Sequence, residues 1–252
     1  MSPGELLFLA AAGFGAGVVN GVAGGGSMVS FPALLAVGVH SLAANVTSTV
    51  GIWPGYLGGA AGFRRRLAAQ RTRLRELAPV AFVGALVGSG LILITSEGAF
   101  DALAPWLVLA ACGLFAAQPV LARRLAASGP APGSRGHRLA RDGGVLVASI
   151  YGAYFGAGLG VLLLAVLGIT VAALLNDLNA VRTVLALLVN SIAMVVFAVA
   201  APVVWSAALT MAAASLVGGY VGARTAARMP VPLFRAVVLV LGLAAAIGLF
   251  VT

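Results

Sequence analysis

Charge is what this 252-residue chain has least of: 8% of its residues are Asp, Glu, Lys or Arg, against roughly a quarter in a soluble domain. An ordinary water-facing surface cannot be built from so little. Cysteine is nearly absent too, and the single Cys112 lies inside a predicted span, which excludes both a disulfide framework and a Cys-based metal cluster. The two histidines, His40 and His137, sit far apart at predicted loop positions with no second ligand near either. Metal and thiol catalysis are therefore not expected, and no cofactor is implied. No Asp, Glu or Lys falls within a span, so the carboxylate proton carrier of many pumps is missing. A Gly-rich phosphate loop ending in Lys-Ser or Lys-Thr is missing as well, which argues against ATP-driven transport by this chain alone. Lysine is wholly absent. All 15 basic residues are Arg, a bias that beside abundant Ala and Gly suggests a GC-rich bacterial genome. The net charge of +9 does not point to nucleic acid, because the arginines cluster in short loops between hydrophobic spans, as in cytoplasmic loops of membrane proteins.

What is abundant is apolar: 62% of residues are hydrophobic, 34 are Gly, and the mean hydropathy is +1.11. Residues 6–63, 77–96, 102–122, 143–176, 183–223 and 236–252 contain no charged side chain. A helix needs about 20 apolar residues to cross a hydrocarbon core about 30 Å thick, so nearly the whole chain is expected within a membrane. The first apolar run, from Leu6, is not expected to be a cleaved signal. Glu5 is the only charge before Arg64, so the positive n-region is missing, and the apolar segment continues far past a cleavage point.

Sliding the chain against itself by about 135 residues brings Gly17, Gly21 and Gly25 onto Gly152, Gly156 and Gly160, and Gly84 and Gly88 onto Gly218 and Gly222. The expected fold is an all-α polytopic membrane protein of two homologous halves, residues 1–122 and 144–252, joined by a cytoplasmic linker over 123–143. Each half reads as a Gly-broken first segment plus three spans, about eight hydrophobic segments in all. Residues 6–38 as one helix would reach about 50 Å, more than the core requires, so a break is expected at Gly24-Gly25-Gly26. In the second half it is expected around Gly156–Gly160. A re-entrant hairpin, two short crossings and a kinked helix all satisfy this pattern. Arginine placement favours hairpins and inverted halves, because every Arg then falls on one side, with loops 64–76 and 123–142 cytoplasmic, both termini outside, and Glu5, Glu97 and Asp101 opposite the arginines. A parallel four-plus-four arrangement is the alternative.

Inverted repeats with broken helices are a recurring plan for secondary transporters, whose sites lie near the midplane. Backbone N–H groups left open at a helix start carry partial positive charge and suit an anion. Gly24, Gly25, Gly26 and Ser27 would form such a start, with the Asn20 amide one turn before it and Gly158 and Gly160 as the counterpart in the other half. Close packing of helices through small residues is the competing explanation, and it is preferred for the pairs Gly84 with Gly88 and Gly218 with Gly222. Asn45, Thr47, Ser48 and Thr49 place four hydrogen-bonding side chains in one turn and should face protein or solvent, unless the hydroxyls bond back to carbonyls four residues earlier. Arg182, which the 135-residue shift sets on Thr47, meets an anion, pairs with Asp177 or snorkels to the interface; Asn190 lies two turns deeper. Gly-Val-Val-Asn-Gly-Val-Ala-Gly-Gly-Gly-Ser-Met-Val-Ser-Phe-Pro (17–32) and Ala-Ala-Asn-Val-Thr-Ser-Thr (43–49) resemble the sulfite exporter TauE/SafE family of permeases. So do Tyr-Gly-Ala-Tyr-Phe-Gly-Ala-Gly-Leu-Gly (151–160), the run 178–190 and Val-Gly-Gly-Tyr-Val-Gly-Ala-Arg (217–224). The resemblance implies a bacterial inner-membrane permease for small sulfur-containing anions or organic acids. Its partners would be membrane lipid and the anionic substrate. The second glycine motif departs from the family's triple Gly. An anion channel and a non-transporting scaffold remain the alternatives, each compatible with the same spans.

Overall fold

The computed structural model describes residues 1–22, 24–62, 67–127, 135–171, 173–225 and 231–251. Arg64, Arg65, Arg66, Arg228 and the linker core 128–134 lie outside the described residues. Among the described residues ten α-helices follow one another: α1 (Pro3–Val22), α2 (Ser27–Ala36), α3 (Ser41–Gly62), α4 (Arg71–Ile94) and α5 (Glu97–Ala127), then α6 (Arg135–Tyr154), α7 (Leu159–Thr170), α8 (Leu175–Ala200), α9 (Trp205–Thr225) and α10 (Val231–Val251). A 3-10 turn, Ala68–Gln70, precedes α4. Among the described residues, four helices are long and apolar enough to cross a membrane by themselves, and the shorter apolar helices include α2 and α7. The protein is an all-helical, multi-pass membrane protein.

Local chemistry sets several helix ends. Ser2 and Glu5 form a reciprocal capping box at the start of α1, the Ser2 N–H donating to Glu5 Oε2 at 2.8 Å and the Glu5 N–H to Ser2 Oγ at 3.3 Å. α2 ends in a Schellman motif, with Gly38 at φ 81° and the Val39 N–H returning to the Leu34 carbonyl.

The breaks are re-entrant hairpins. Gly26 lies against Ala16 and Asn20, Val29 against Gly15, and Phe8, Ala12, Pro32 and Ala36 line one apolar cavity of about 600 Å³, so α2 runs back along α1. In the second half Gly152 meets Leu159 and Gly144 meets Val166, so α7 runs back along α6. At about 1.5 Å per residue, α2 and α7 span roughly half of the hydrocarbon core.

Side-chain partners fix the remaining directions. Gly13 packs on Met211, Gly17 on Ser215 and Val18 on Gly222, so α1 and α9 are parallel. Gly84 against Ser149 and Gly88 against Ile150 make α4 and α6 parallel. The bonds Trp53 to Ser191 and Val204 to Thr47 make α3 and α8 antiparallel, and Trp106 on Phe250 with Cys112 on Gly242 does the same for α5 and α10. Exchanging α1–α5 for α6–α10 turns the packing of α1 on α9 into that of α6 on α4, and that of α2 on α10 into that of α7 on α5. A pseudo-two-fold axis therefore runs across the helices, and the halves are inverted.

Alternation of direction carries the N-terminal ends of α4 and α6 to one end of the bundle, where Arg141 bridges Glu76 at 2.9 Å. The other end holds Met1 beside Ser206 and Ser41 bonded to Asp101. The glycine pairs behave as packing residues: a Cβ on Gly88 would strike the Ile150 carbonyl, and one on Gly218 the Phe14 carbonyl.

The repeat register differs from the 135-residue shift. Helix starts at Ser27 and Leu159 are offset by 132, whereas α3 and α8, α4 and α9, and α5 and α10 are offset by 134, because α7 is two residues longer than α2. Thr49 donates to the Asn45 carbonyl and Thr183 to the Asn179 carbonyl, the same back-bond in both halves. Arg182 thus corresponds to Ser48 rather than Thr47, and Asn190 to Tyr56.

Candidate functional site

The two hairpin tips meet tip to tip inside the bundle. Gly24 stands at φ 75° and its repeat mate Gly156 at φ 79°, a left-handed conformation that only glycine adopts without strain and that turns the chain back. Gly24 and Gly160 approach so closely that a Cβ on Gly160 would stand 2.8 Å from the Gly24 carbonyl oxygen. α2 and α7 leave this contact in opposite directions, so both helices present their N-terminal, partially positive ends to the junction.

Arg182, in the second turn of α8, is 4% exposed, and its guanidinium lies between the tips. A Cβ on Gly24 would be 2.7 Å from Nη1 and one on Gly160 2.8 Å from the same nitrogen. This position is interior, not at a membrane surface. Asn20, also buried, holds the first break: its Oδ1 accepts the Gly26 N–H at 2.8 Å, which leaves Nδ2 buried without a hydrogen-bond partner among the described residues. Asn190 donates through Nδ2 to the Ala186 carbonyl at 2.8 Å and leaves Oδ1 buried and unmatched in the same way. Native interiors satisfy nearly all such atoms, so their coincidence beside a buried guanidinium sets this place apart from the rest of the interior.

Tyr56 is the residue that the sequence reading missed. It is buried, and its hydroxyl sits beside Asn20, Asn190 and Arg182. The signal was helical spacing: Tyr56 lies seven residues after Thr49 and eleven after Asn45, on the same face of α3.

A second polar group lies about two turns back along α3. Ser27 Oγ is buried without a partner among the described residues and stands 3.1 Å from where a Gly156 Cβ would be; Thr49 Oγ1 is 3.8 Å from that point. Ser48 and Ser30 share a hydroxyl hydrogen bond of 2.6 Å, and Asn45 Nδ2 donates to the Tyr154 carbonyl at 2.8 Å, tying α3 to the second hairpin. Toward the end of the bundle that carries the termini, Phe31, Phe100 and Phe155 pack around this group, with the Phe31 and Phe155 rings edge to face at 5.4 Å and Phe100 tilted against Phe155.

The remaining candidates are placed as follows. Gly25 faces the Phe115 ring, where a Cβ would be 2.9 Å from Cε2, so it admits α5 and not the junction. Gly26 is pressed on Ala16 and Asn20, and Gly158, at φ 83°, caps α7 against Ala111. Thr47 is turned away from the junction, because its Oγ1 accepts the Val204 N–H at 2.9 Å and closes the α8–α9 connection. Back-bonding to the fourth preceding carbonyl accounts for Thr49 alone among the three hydroxyls of that turn.

The arrangement can hold a compact anion. It offers one fixed positive charge, two helix starts and an amide donor, while all six carboxylates of the chain lie exposed or half-buried. Among the described residues, no group of three or more His, Cys, Asp and Glu side chains could hold a metal ion. The family model described as Sulfite exporter TauE/SafE matches residues 9–249. No curated protein and no solved structure matches the chain.

Proposed function

The chain belongs to the sulfite exporter TauE/SafE family, a family of membrane transporters, and from that membership we propose that it is a secondary permease that binds a small anion where its two hairpin tips meet. The buried Arg182 between Gly24 and Gly160 is the observation that carries this reading. Sulfite, an organosulfonate or a related oxoanion of similar size is the substrate class. Arg182 supplies charge, the starts of α2 and α7 supply backbone dipoles, and Asn20 Nδ2 supplies a donor. Ser27, Ser48 and Asn45 form a hydroxyl and amide step on the path between the junction and the end that carries the termini. By the positive-inside rule the arginine-rich end is cytoplasmic, in a bacterial inner membrane, and the termini lie outside.

The inverted halves supply the transport cycle. Each hairpin is anchored in its own half, so rocking one half against the other exposes the junction to alternate sides. The aromatic packing of Phe31, Phe100 and Phe155 between the junction and the end that carries the termini favours alternating access over an open channel.

A thermal-shift screen of the detergent-purified protein against sulfite, sulfate, thiosulfate, sulfoacetate, taurine and simple carboxylates tests the reading. An anion at 100 times its Kd raises stability by about 2.7 kcal/mol. A selective shift that disappears in Arg182→Ala is the expected outcome. A screen with no shift for any anion would instead support a scaffold, and in liposomes a flux that never saturates would identify a channel.

A further inference from the structure

Resting on the reading of the junction as an anion site, we propose that Asn190 selects anions that still carry a hydroxyl proton, so that the proton crosses the membrane on the substrate itself. The observation is an acceptor where an anion site needs only donors. Asn190 is 1% exposed, and its Nδ2 donates to the Ala186 carbonyl. A carbonyl only accepts, so the amide nitrogen must lie on that side and Oδ1 on the other. Oδ1 is thus fixed, buried and without a hydrogen-bond partner among the described residues, although the Tyr56 hydroxyl stands beside the same side chain. A fully deprotonated oxoanion or a sulfonate brings more acceptors and leaves this atom empty, whereas an anion with one O–H fills it, so within the proposed substrate class the site favours hydroxyl-bearing oxoanions over organosulfonates. An ammonium group would also donate, but the Arg182 guanidinium beside the same space repels it.

The surroundings leave the proton no other carrier. Tyr56 on α3 stands beside both Asn190 and Arg182. From the second hairpin, the Tyr154 hydroxyl turns to Thr95 at 3.3 Å and the Tyr151 hydroxyl to the Leu107 carbonyl; on α5, Cys112 packs toward Gly242. No carboxylate and no histidine stands at the junction among the described residues. At the junction, a proton that accompanies the anion therefore meets no carboxylate or imidazole among the described residues and stays on an oxygen of the anion. Asn190 accepts its hydrogen bond while Arg182 and Asn20 donate to the unprotonated oxygens.

The test uses selenite, which takes up its proton on oxygen, and methanesulfonate, a monoanion with three oxygens and no ionisable proton near neutrality. Binding of each to the full chain in detergent is measured by calorimetry across the second ionisation of selenite. Selenite affinity is expected to fall about tenfold per pH unit above that ionisation, following the hydrogenselenite fraction, while methanesulfonate shows no such slope. In Asn190→Ala the preference for hydrogenselenite over methanesulfonate should shrink about tenfold, the effect of one hydrogen bond of about 1.4 kcal/mol. Selenite affinity that is flat or rises with pH overturns the proposal while leaving the anion site in place. Failure of both anions to bind at any pH overturns the site and the proposal together. The wild-type titration decides the matter even if Asn190→Ala does not fold.

Discussion

The two hairpins share one backbone plan and differ in what they carry. Gly24 and Gly156 turn the chain at nearly the same left-handed φ, and each hairpin sends back a half-length helix. Where the first hairpin has Asn20 and Ser27, the second has Gly152 and Leu159, and the Leu159 side chain fills the space that a Cβ on Gly152 would need. The first tip is thus held by a polar clamp, Asn20 to Gly26, and the second by apolar packing. The helices that follow are unequal in the opposite sense: α3 brings Ser48 and α8 brings Arg182 at the equivalent place. Duplication supplies two matching hairpins, while the polar groups at the centre differ between the copies. Arg182 from one half and Asn20 from the other both stand beside Tyr56, so the polar junction draws on both halves.

Removing the charge should break this complementarity most severely. Arg182→Ala is expected to lower anion affinity about a hundredfold or more, since charge-assisted hydrogen bonds contribute about 1.5–3 kcal/mol each. Arg182→Lys should recover part of the loss, because an ammonium keeps the charge but cannot reach both tips as a planar fork does. Binding calorimetry separates the three proteins. Next come the paired glycines. Gly24→Ala and Gly156→Ala should each lower stability by about 1–2 kcal/mol through left-handed strain, read as the melting temperature in detergent. Gly24→Ala should also impair transport far more than Gly156→Ala, because its Cβ displaces the Arg182 guanidinium, whereas a Gly156 Cβ presses on the Ser27 hydroxyl at 3.1 Å and otherwise makes ordinary contacts. Equal transport by the two variants would deny the asymmetry. Smaller still, Asn20→Ala should cost about 1–2 kcal/mol by freeing the Gly26 N–H and should weaken anion binding with it. Thr47→Val should cost about 1 kcal/mol by leaving the Val204 N–H unmatched, with anion affinity retained; a matching loss of affinity would restore Thr47 to the site.

Much of this architecture is legible in the sequence. Charge placement favoured hairpins and inverted halves over a parallel four-plus-four arrangement, because all 15 arginines then fall on one side. The interior was harder to read. Asn20, Gly24, Arg182 and Asn190 stand out as polar or special residues in apolar surroundings, and they do converge. Thr47 stands out by the same criterion yet serves a loop, since composition does not say which face of α3 meets which neighbour. Tyr56 escaped notice because an aromatic residue in a membrane helix normally reads as apolar. The register slipped because glycine matches are dense enough to align at several shifts; the back-bonded pairs Asn45 with Thr49 and Asn179 with Thr183 fix it.

The central claim is that an anion sits where the two tips meet. The most direct measurement is the anomalous scattering of selenium in crystals of the protein grown with selenite. The account predicts one dominant peak between Gly24, Gly160 and the Arg182 guanidinium, lost in Arg182→Ala. A peak confined to the surface arginines, in protein that still transports selenite in liposomes, would contradict it.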